Sequence, residues 1–175
     1  MVGAKTLNTV RVSFVSFILA GLLALTASPA WTEARVSAPA PSFALPGPDG
    51  STRSLADYSG DIVYVDFWAS WCGPCLKSFP VMEALHQRYA DQGLSIVAIN
   101  VDQRREDADA FLSAREASFA VLFDDAGVTP QQFGVKGMPT SFLIDREGLV
   151  RHIHQGFRKS DGEAIERLIQ EALAE

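Results

Sequence analysis

Residues 62–75 have the sequence IVYVDFWASWCGPC, an apolar run that ends in two closely spaced cysteines. The first seven residues are rich in β-branched and aromatic side chains, and Asp66 is the one charged residue among them. A continuous apolar run of this length is typical of a strand that is covered on both faces of a sheet. Apolar residues then recur at helical spacing from Cys75 to about Gln92, so the pattern predicts that a helix follows the cysteines.

The patterns on either side of this stretch predict further strands and helices. Apolar β-rich segments predict strands at 43–45, 52–55, 94–100, 119–123, 140–144 and 149–153. Helical patterns cover 103–117 and the C-terminal residues after 160, and capping patterns predict helix starts at Thr129-Pro130 and at Ser160-Asp161-Gly162-Glu163. Strands that alternate with helices predict an α/β domain. We expect a central mixed β-sheet flanked by helices, with an N-terminal β-hairpin and an inserted helix and strand.

Composition excludes several classes of function. The chain has 175 residues with 15 Lys and Arg and 21 Asp and Glu, a net charge of −6. This acidic balance argues against a nucleic-acid partner, which requires a basic surface. Two cysteines exclude a scaffold of several disulfides, and with three scattered histidines they argue against a structural zinc site. We therefore expect no metal and no cofactor.

The N-terminal residues 1–30 have the organisation of an export signal. Lys5 and Arg11 precede an apolar run over 12–27, and Ser28-Pro29-Ala30 places small residues where signal peptidase cleaves. The run of 16 residues is shorter than the ~20 that span a bilayer, so cleavage after Ala30 is favoured over the alternative of an uncleaved anchor. These features predict a flexible leader over 31–40, a domain over 41–175 and a periplasmic or other extracytoplasmic location.

Two signatures in this chain resemble those of the thioredoxin superfamily. The first is WASWCGPC at 68–75, and the second is Gly-Met-Pro-Thr at 137–140. The resemblance covers about residues 41–173 and implies a thioredoxin fold. The hairpin, the inserted helix and strand and the export signal together resemble the TlpA-like extracytoplasmic thiol–disulfide reductases, which include the cytochrome c maturation thioredoxins. Ser78 is a departure, since many TlpA-like proteins have Glu at that position.

The resemblance implies roles for the cysteines and for Asp66. Cys72, at the predicted start of the helix, is expected to be a solvent-open thiolate nucleophile, because free backbone N–H groups and the helix dipole stabilise an anion there. Cys75, one turn later, is expected to be more buried and to resolve the mixed disulfide. Asp66 matches the buried Asp of ordinary thioredoxins, and burial would raise its pKa towards that of a general base for Cys75.

A second group of residues is expected to contact the substrate. Pro139 matches the cis-proline of the superfamily, whose preceding residue, Met138, would offer its backbone to an extended substrate segment. Trp71 is expected to form an apolar rim beside Cys72. Gly73 is expected to permit a tight turn, and Pro74 to set a helical φ in the first turn.

The expected activity is the reduction of protein disulfides. A Gly-Pro pair between the cysteines is typical of reducing thioredoxins, so the substrates would be disulfides such as those of apocytochromes c or copper-site proteins. A membrane thiol reductant would supply the electrons. The alternatives are a disulfide oxidase or isomerase that uses the same cysteines, a Cu(I) carrier that binds through two thiolates, and a peroxidase.

Overall fold

The computed structural model of this chain describes residues 33–115 and 117–175, together with Met1 and Gly3. The expected export signal, including the apolar run over 12–27, therefore falls outside the described residues. Within the described part, no helix has the length and apolar character needed to cross a bilayer.

Strands and helices alternate along the domain as the sequence predicted. The strands are β1 (Ala44–Pro46), β2 (Thr52–Ser54), β3 (Ile62–Trp68), β4 (Leu94–Asn100), β5 (Ala120–Phe123), β6 (Thr140–Ile144) and β7 (Val150–Gln155). The helices are α1 (Cys75–Tyr89), α2 (Arg105–Ser113), α3 (Val128–Gln132) and α4 (Asp161–Leu173), with 3₁₀ turns at Leu55–Tyr58 and Ala90–Gln92.

The sheet is mixed, and β3 lies at its centre. The strand order is β5-β4-β3-β6-β7, where β3, β4 and β5 are parallel and β6 and β7 run antiparallel to their neighbours. All seven residues of β3 are buried, which confirms the prediction of a strand covered on both faces. The strands β1 and β2 form the predicted N-terminal hairpin, while α2 and β5 are the inserted helix and strand.

Two apolar layers cover the two faces of the sheet. One layer joins β3 to α1, α2 and α4 through Trp68, Phe79, Met82, Phe111 and Ile169. The other joins the alternate side chains of β3 to Phe43, Phe133 and Phe142. Successive side chains of a strand point to opposite faces. Tyr64 and Trp68 belong to the first layer, so Asp66 between them faces α1 and α4 as well.

The predicted start of α4 is confirmed, since Ser160 precedes a helix that begins at Asp161, but neither predicted side-chain cap forms. The α3 helix begins at Val128 with no side-chain cap, and the carboxylate of Asp124 accepts the N–H groups of Val128 and Thr129 at 3.3 and 2.6 Å instead. At the start of α4, Ser160 likewise makes no capping bond. There the Asp161 carboxylate accepts the N–H of Arg158 at 2.7 Å.

Residues 37–40 are paired with the start of β7. Ser37 N–H donates to the Val150 carbonyl at 2.7 Å, Ala40 N–H to Gly148 at 2.9 Å, and Val150 N–H to Ala38 at 2.9 Å. The sequence predicted a flexible leader over 31–40, whereas these bonds attach its last four residues to the edge of the sheet.

Candidate active site

The two signatures meet at one end of the central strands β3 and β6. The β3 strand ends at Trp68, and the loop that follows carries both cysteines into α1. Phe67 pairs with Thr140, so Pro139 and Met138 lie just beyond that pair, at the end of the sheet where β3 also stops. Antiparallel pairing of two strands distant in sequence therefore brings 68–75 and 137–140 together.

Cys72 and Cys75 form a disulfide at the start of α1. Their Cα atoms are 5.3 Å apart, and the backbone N–H of Cys75 donates to Cys72 Sγ at 3.3 Å. Cys75 is fully buried, while Cys72 is 4% exposed. The relative burial of the two residues is as predicted, but the expectation of a solvent-open Cys72 is not met in this disulfide form.

The residues around Cys72 are exposed. Trp71 is 69% exposed, and Gly73 and Pro74 also lie at the surface. Pro74 has φ −63° and ψ −31°, the helical values predicted for it. Gly73 does not have a positive φ, and a Cβ atom there would meet nothing within 4 Å. The turn therefore does not require glycine, which corrects the role expected for Gly73.

Asp66 is only 2% exposed, and it lies on the face of the sheet that α1 and α4 cover. Its Oδ2 atom is buried and makes no hydrogen bond with any group in the described part of the chain. Burial raises the pKa of this carboxyl well above its ordinary value, because charge is poorly solvated in the interior. Asp66 shares its layer with Cys75.

The peptide bond between Met138 and Pro139 is cis, as predicted. Pro139 is buried and its carbonyl accepts the N–H of Gly156 at 2.8 Å. Met138 is partly exposed and packs against the layer that contains both cysteines. A partly exposed backbone segment thus lies next to the cysteine loop.

Asp102 is a site residue that sequence reasoning missed. Asp102 follows β4 and is only 4% exposed. Its carboxylate accepts the Ser70 N–H and hydroxyl, each at 2.9 Å, and the Asn100 amide at 2.7 Å. The loop that carries Cys72 is therefore fixed to the end of β4. Asn100 at the carboxyl end of a buried strand, with Asp102 two residues later, is a signal that could have indicated this role.

No cluster of three or more His, Cys, Asp or Glu suited to a metal ion occurs among residues 33–115 and 117–175. At this end of the sheet, the described residues place the Cys72–Cys75 disulfide.

Known proteins share these features. Residues 36–153 match the AhpC/TSA family. Thiol-disulfide oxidoreductase ResA of Geobacillus thermodenitrificans is 34% identical over 125 residues, which cover 71% of this chain and 72% of that protein. Thioredoxin-like protein YneN of Bacillus subtilis is 35% identical over 120 residues, 67% of this chain and 69% of its own.

A solved structure is more similar still. The crystal structure of a protein from Chlorobium tepidum assigned as thiol:disulfide interchange protein DsbE is 50% identical, with a TM-score of 0.79. The match covers 81% of this chain and 99% of that one. The names of these relatives are consistent with the resemblance noted in the sequence and with a disulfide at the start of α1. The chain accordingly belongs to the AhpC/TSA family, and it is a thiol–disulfide oxidoreductase with a thioredoxin-like fold.

Proposed function

We propose that this protein reduces disulfides in exported proteins, with Cys72 as the nucleophile and Cys75 as the resolving thiol. The observation that carries the proposal is the asymmetry of the pair. Cys72 precedes the helix, follows the exposed Trp71 and is 4% exposed, while Cys75 lies within the helix and is fully buried. An incoming disulfide therefore meets Cys72 first.

The start of α1 supports Cys72 as the thiolate. The N–H of Cys75 donates to Cys72 Sγ at 3.3 Å, and the same bond would stabilise a negative charge on that sulfur in the reduced protein. The thiolate attacks one sulfur of the substrate disulfide and expels the other as a thiolate. Cys75 then attacks Cys72 in the mixed disulfide, which releases the reduced substrate and leaves the Cys72–Cys75 disulfide.

Asp66 is proposed as the general base for Cys75. A buried carboxyl with a raised pKa is suited to accept a proton near neutral pH, and Asp66 lies in the layer that holds Cys75. The proton of the Cys75 thiol would pass to the Asp66 carboxylate, directly or through a water molecule, as Cys75 becomes the attacking thiolate.

The substrate segment is proposed to bind between the cysteine loop and the cis-proline. The exposed indole of Trp71 offers an apolar contact, and the exposed Gly73 and Pro74 leave room for a substrate chain beside Cys72. The backbone of Met138, before Pro139, would pair with an extended substrate chain as an added strand does.

The proposed compartment and partners follow from the export signal. A basic, then apolar, then small-residue order over 1–30 supports export, and residues 12–27 offer an anchor if cleavage does not occur. In an oxidising compartment the disulfide form accumulates, so a membrane thiol reductant is the proposed electron donor. Protein disulfides, including those of apocytochromes c and copper-site proteins, are the proposed substrates.

Trapping tests the nucleophile. A Cys75→Ser variant lacks the resolving thiol, so mixed disulfides with substrate proteins should accumulate through Cys72 and be released by dithiothreitol. Cys72→Ser is the matched control and should trap none. Trapping by Cys72→Ser alone would overturn the assignment.

The redox midpoint potential tests the direction. A reductase is expected near the −270 mV of thioredoxin, whereas the oxidant DsbA has about −120 mV. Equilibration with glutathione or dithiothreitol buffers gives the value for this protein. A potential near that of DsbA would favour the disulfide oxidase or isomerase instead.

A further inference from the structure

A row of polar side chains crosses the sheet beside Asp66. Asp66 on β3 pairs with Ser141 on β6, and Ser141 pairs with His154 on β7. Residues directly opposite each other in adjacent strands point to the same face, with Cβ atoms about 5 Å apart. The three side chains thus form a line under α4 that runs from the buried centre of the sheet to its edge.

The inner end of this row contains two hydroxyl groups and an unsatisfied carboxylate. Tyr64 lies two residues before Asp66 and faces the same side. Its hydroxyl donates to Ser141 Oγ at 2.7 Å, so the proton of the Ser141 hydroxyl remains available for another acceptor. In the described part of the chain the buried Asp66 Oδ2 has no hydrogen-bond partner.

The outer end of the row reaches solvent at His154. Its side chain is 34% exposed, and Nε2 lies 3.2 Å from Oδ2 of Asp161, the first residue of α4. An imidazole exchanges protons near neutral pH. Ser141 and His154 also line one small cavity of about 10 Å³ together with Tyr64 and His152, and its wall is almost entirely apolar, so the route relies on the side chains themselves and not on a bound water.

We propose that the hydroxyls of Ser141 and Tyr64, with the imidazole of His154, conduct protons between Asp66 and solvent. The inference rests on the proposed role of Asp66. When the Cys75 thiol gives its proton to the Asp66 carboxylate, the resulting carboxylic acid must lose that proton before another cycle. The proton passes along the hydroxyls of Ser141 and Tyr64 to the imidazole of His154 and then to water. The route runs in reverse when two electrons and two protons convert the disulfide to two thiols.

The row is suited to this role because it places a hydroxyl directly opposite Asp66 on β6, whereas the residue opposite Asp66 on β4 is apolar. Asp66 is flanked on β3 by Tyr64 and Trp68, and its neighbour on β4 is Ala98. The titratable groups on this face of the sheet include Tyr64 from β3, Cys75 and Tyr89 from α1, His152 and His154 from β7, and Asp161 from α4. Of these, His154 is the group both aligned with Asp66 and open to solvent.

The test uses single-turnover oxidation of the reduced full-length protein by insulin disulfides, followed by tryptophan fluorescence from pH 5 to 9. His154→Ala and Ser141→Ala should each slow the reaction about threefold or more. The decrease in rate should be largest in the pH range over which the Asp66 carboxyl gains and loses its proton. Imidazole added to the buffer should restore the rate of His154→Ala. His86→Ala is the matched control, since His86 lies on α1 against Phe119 and outside the row, and its rate should be unchanged.

Variants of Asp66 separate failure of the route from failure of the proposed function. Asp66→Asn should slow the reaction by about a hundredfold, and His154→Ala should add nothing in that background, because it acts through Asp66. If Asp66→Asn is slow but Ser141→Ala, Tyr64→Phe and His154→Ala keep the wild-type rate, the proton route is overturned alone. A slow His154→Ala that imidazole does not restore also overturns it. An unaffected Asp66→Asn would remove Asp66 from the proposed function, while trapping through Cys72 would still test the cysteines.

Discussion

The carboxyl group of Asp66 is buried in a layer of aromatic and apolar side chains. Its neighbours on the same face, Tyr64 and Trp68, are buried, and the nearby Asp66 charge is one cause of the raised pKa of Tyr64, after burial itself. An isolated carboxylate in such surroundings is costly, so the interior favours the protonated form. A group of this kind is retained at a cost in stability, which is typical of functional sites.

The stability of the protein should therefore decrease as the pH rises through the Asp66 titration. The folded-state pKa is raised above the unfolded value of about 3.9, so the folded protein binds this proton more tightly. The stabilisation is complete below that value and is lost as the pH approaches the folded pKa. Relative to Asp66→Asn, the wild type should lose about 1 kcal/mol per pH unit across this range.

Urea unfolding of both oxidised proteins from pH 4 to pH 8 measures this difference. Asp91→Asn is the matched control, because Asp91 is exposed just after α1, and its unfolding free energy should stay parallel to that of the wild type. Parallel curves for Asp66→Asn as well would contradict the raised pKa.

The loop before α1 depends on Asp102. Three hydrogen bonds join this carboxylate to Ser70 and Asn100, and removing it leaves buried donors unpaired. Asp102→Ala should lower the free energy of unfolding by about 2 kcal/mol and slow the alkylation of Cys72 in the reduced protein, because the loop no longer holds Cys72 at the helix N-terminus. Asp107→Ala, in the exposed first turn of α2, should change neither quantity. Equal behaviour of the two variants would exclude a positioning role for Asp102.

The short helix α3 depends on a cap from the preceding strand. Asp124 accepts two N–H groups at the start of this helix, and Asp124 itself is 4% exposed. Asp124→Ala should destabilise the protein by about 1 kcal/mol, measured by urea unfolding. Its exposed neighbour Asp125 provides the control, since Asp125→Ala should have little effect. A similar small effect for both would show that α3 is held by Phe133 packing alone.

Export of the complete chain can be tested at the predicted cleavage site. Because signal peptidase requires small residues at its first and third positions before the cut, the mature protein should begin at Trp31. Mass spectrometry of the protein from the periplasmic fraction gives the N-terminus. Ala30→Leu should leave the precursor uncleaved, whereas Pro29→Leu should be processed. A full-length wild-type protein in the membrane fraction would favour the anchor over 12–27.

The central strands, the helix after the cysteines and the cis-proline were predictable from the sequence. The strand β3 has the predicted bounds because six of its seven residues are apolar or aromatic, a continuous run that local pattern reveals. The cis-proline and the thioredoxin-like fold were predicted from two signatures whose residues stand in the chain itself. The capping bond of α3 was predicted wrongly, because the Asp124 carboxylate just after β5 accepts the N–H groups at the start of this helix and the Thr129 side chain does not.

Local pattern predicted the strands and the helices, because alternation and spacing act over a few residues, and the family resemblance pointed to Cys72 and Cys75 as the candidate reacting pair. Local pattern could not reveal that Asp102 is buried against Ser70, 32 residues away, or that Ser141 and His154 stand in line with Asp66. Those contacts depend on the register between strands that are distant along the chain. Register is set by the packing of all the layers together, and therefore only the folded structure defined the environment in which Asp66 and the cysteines lie.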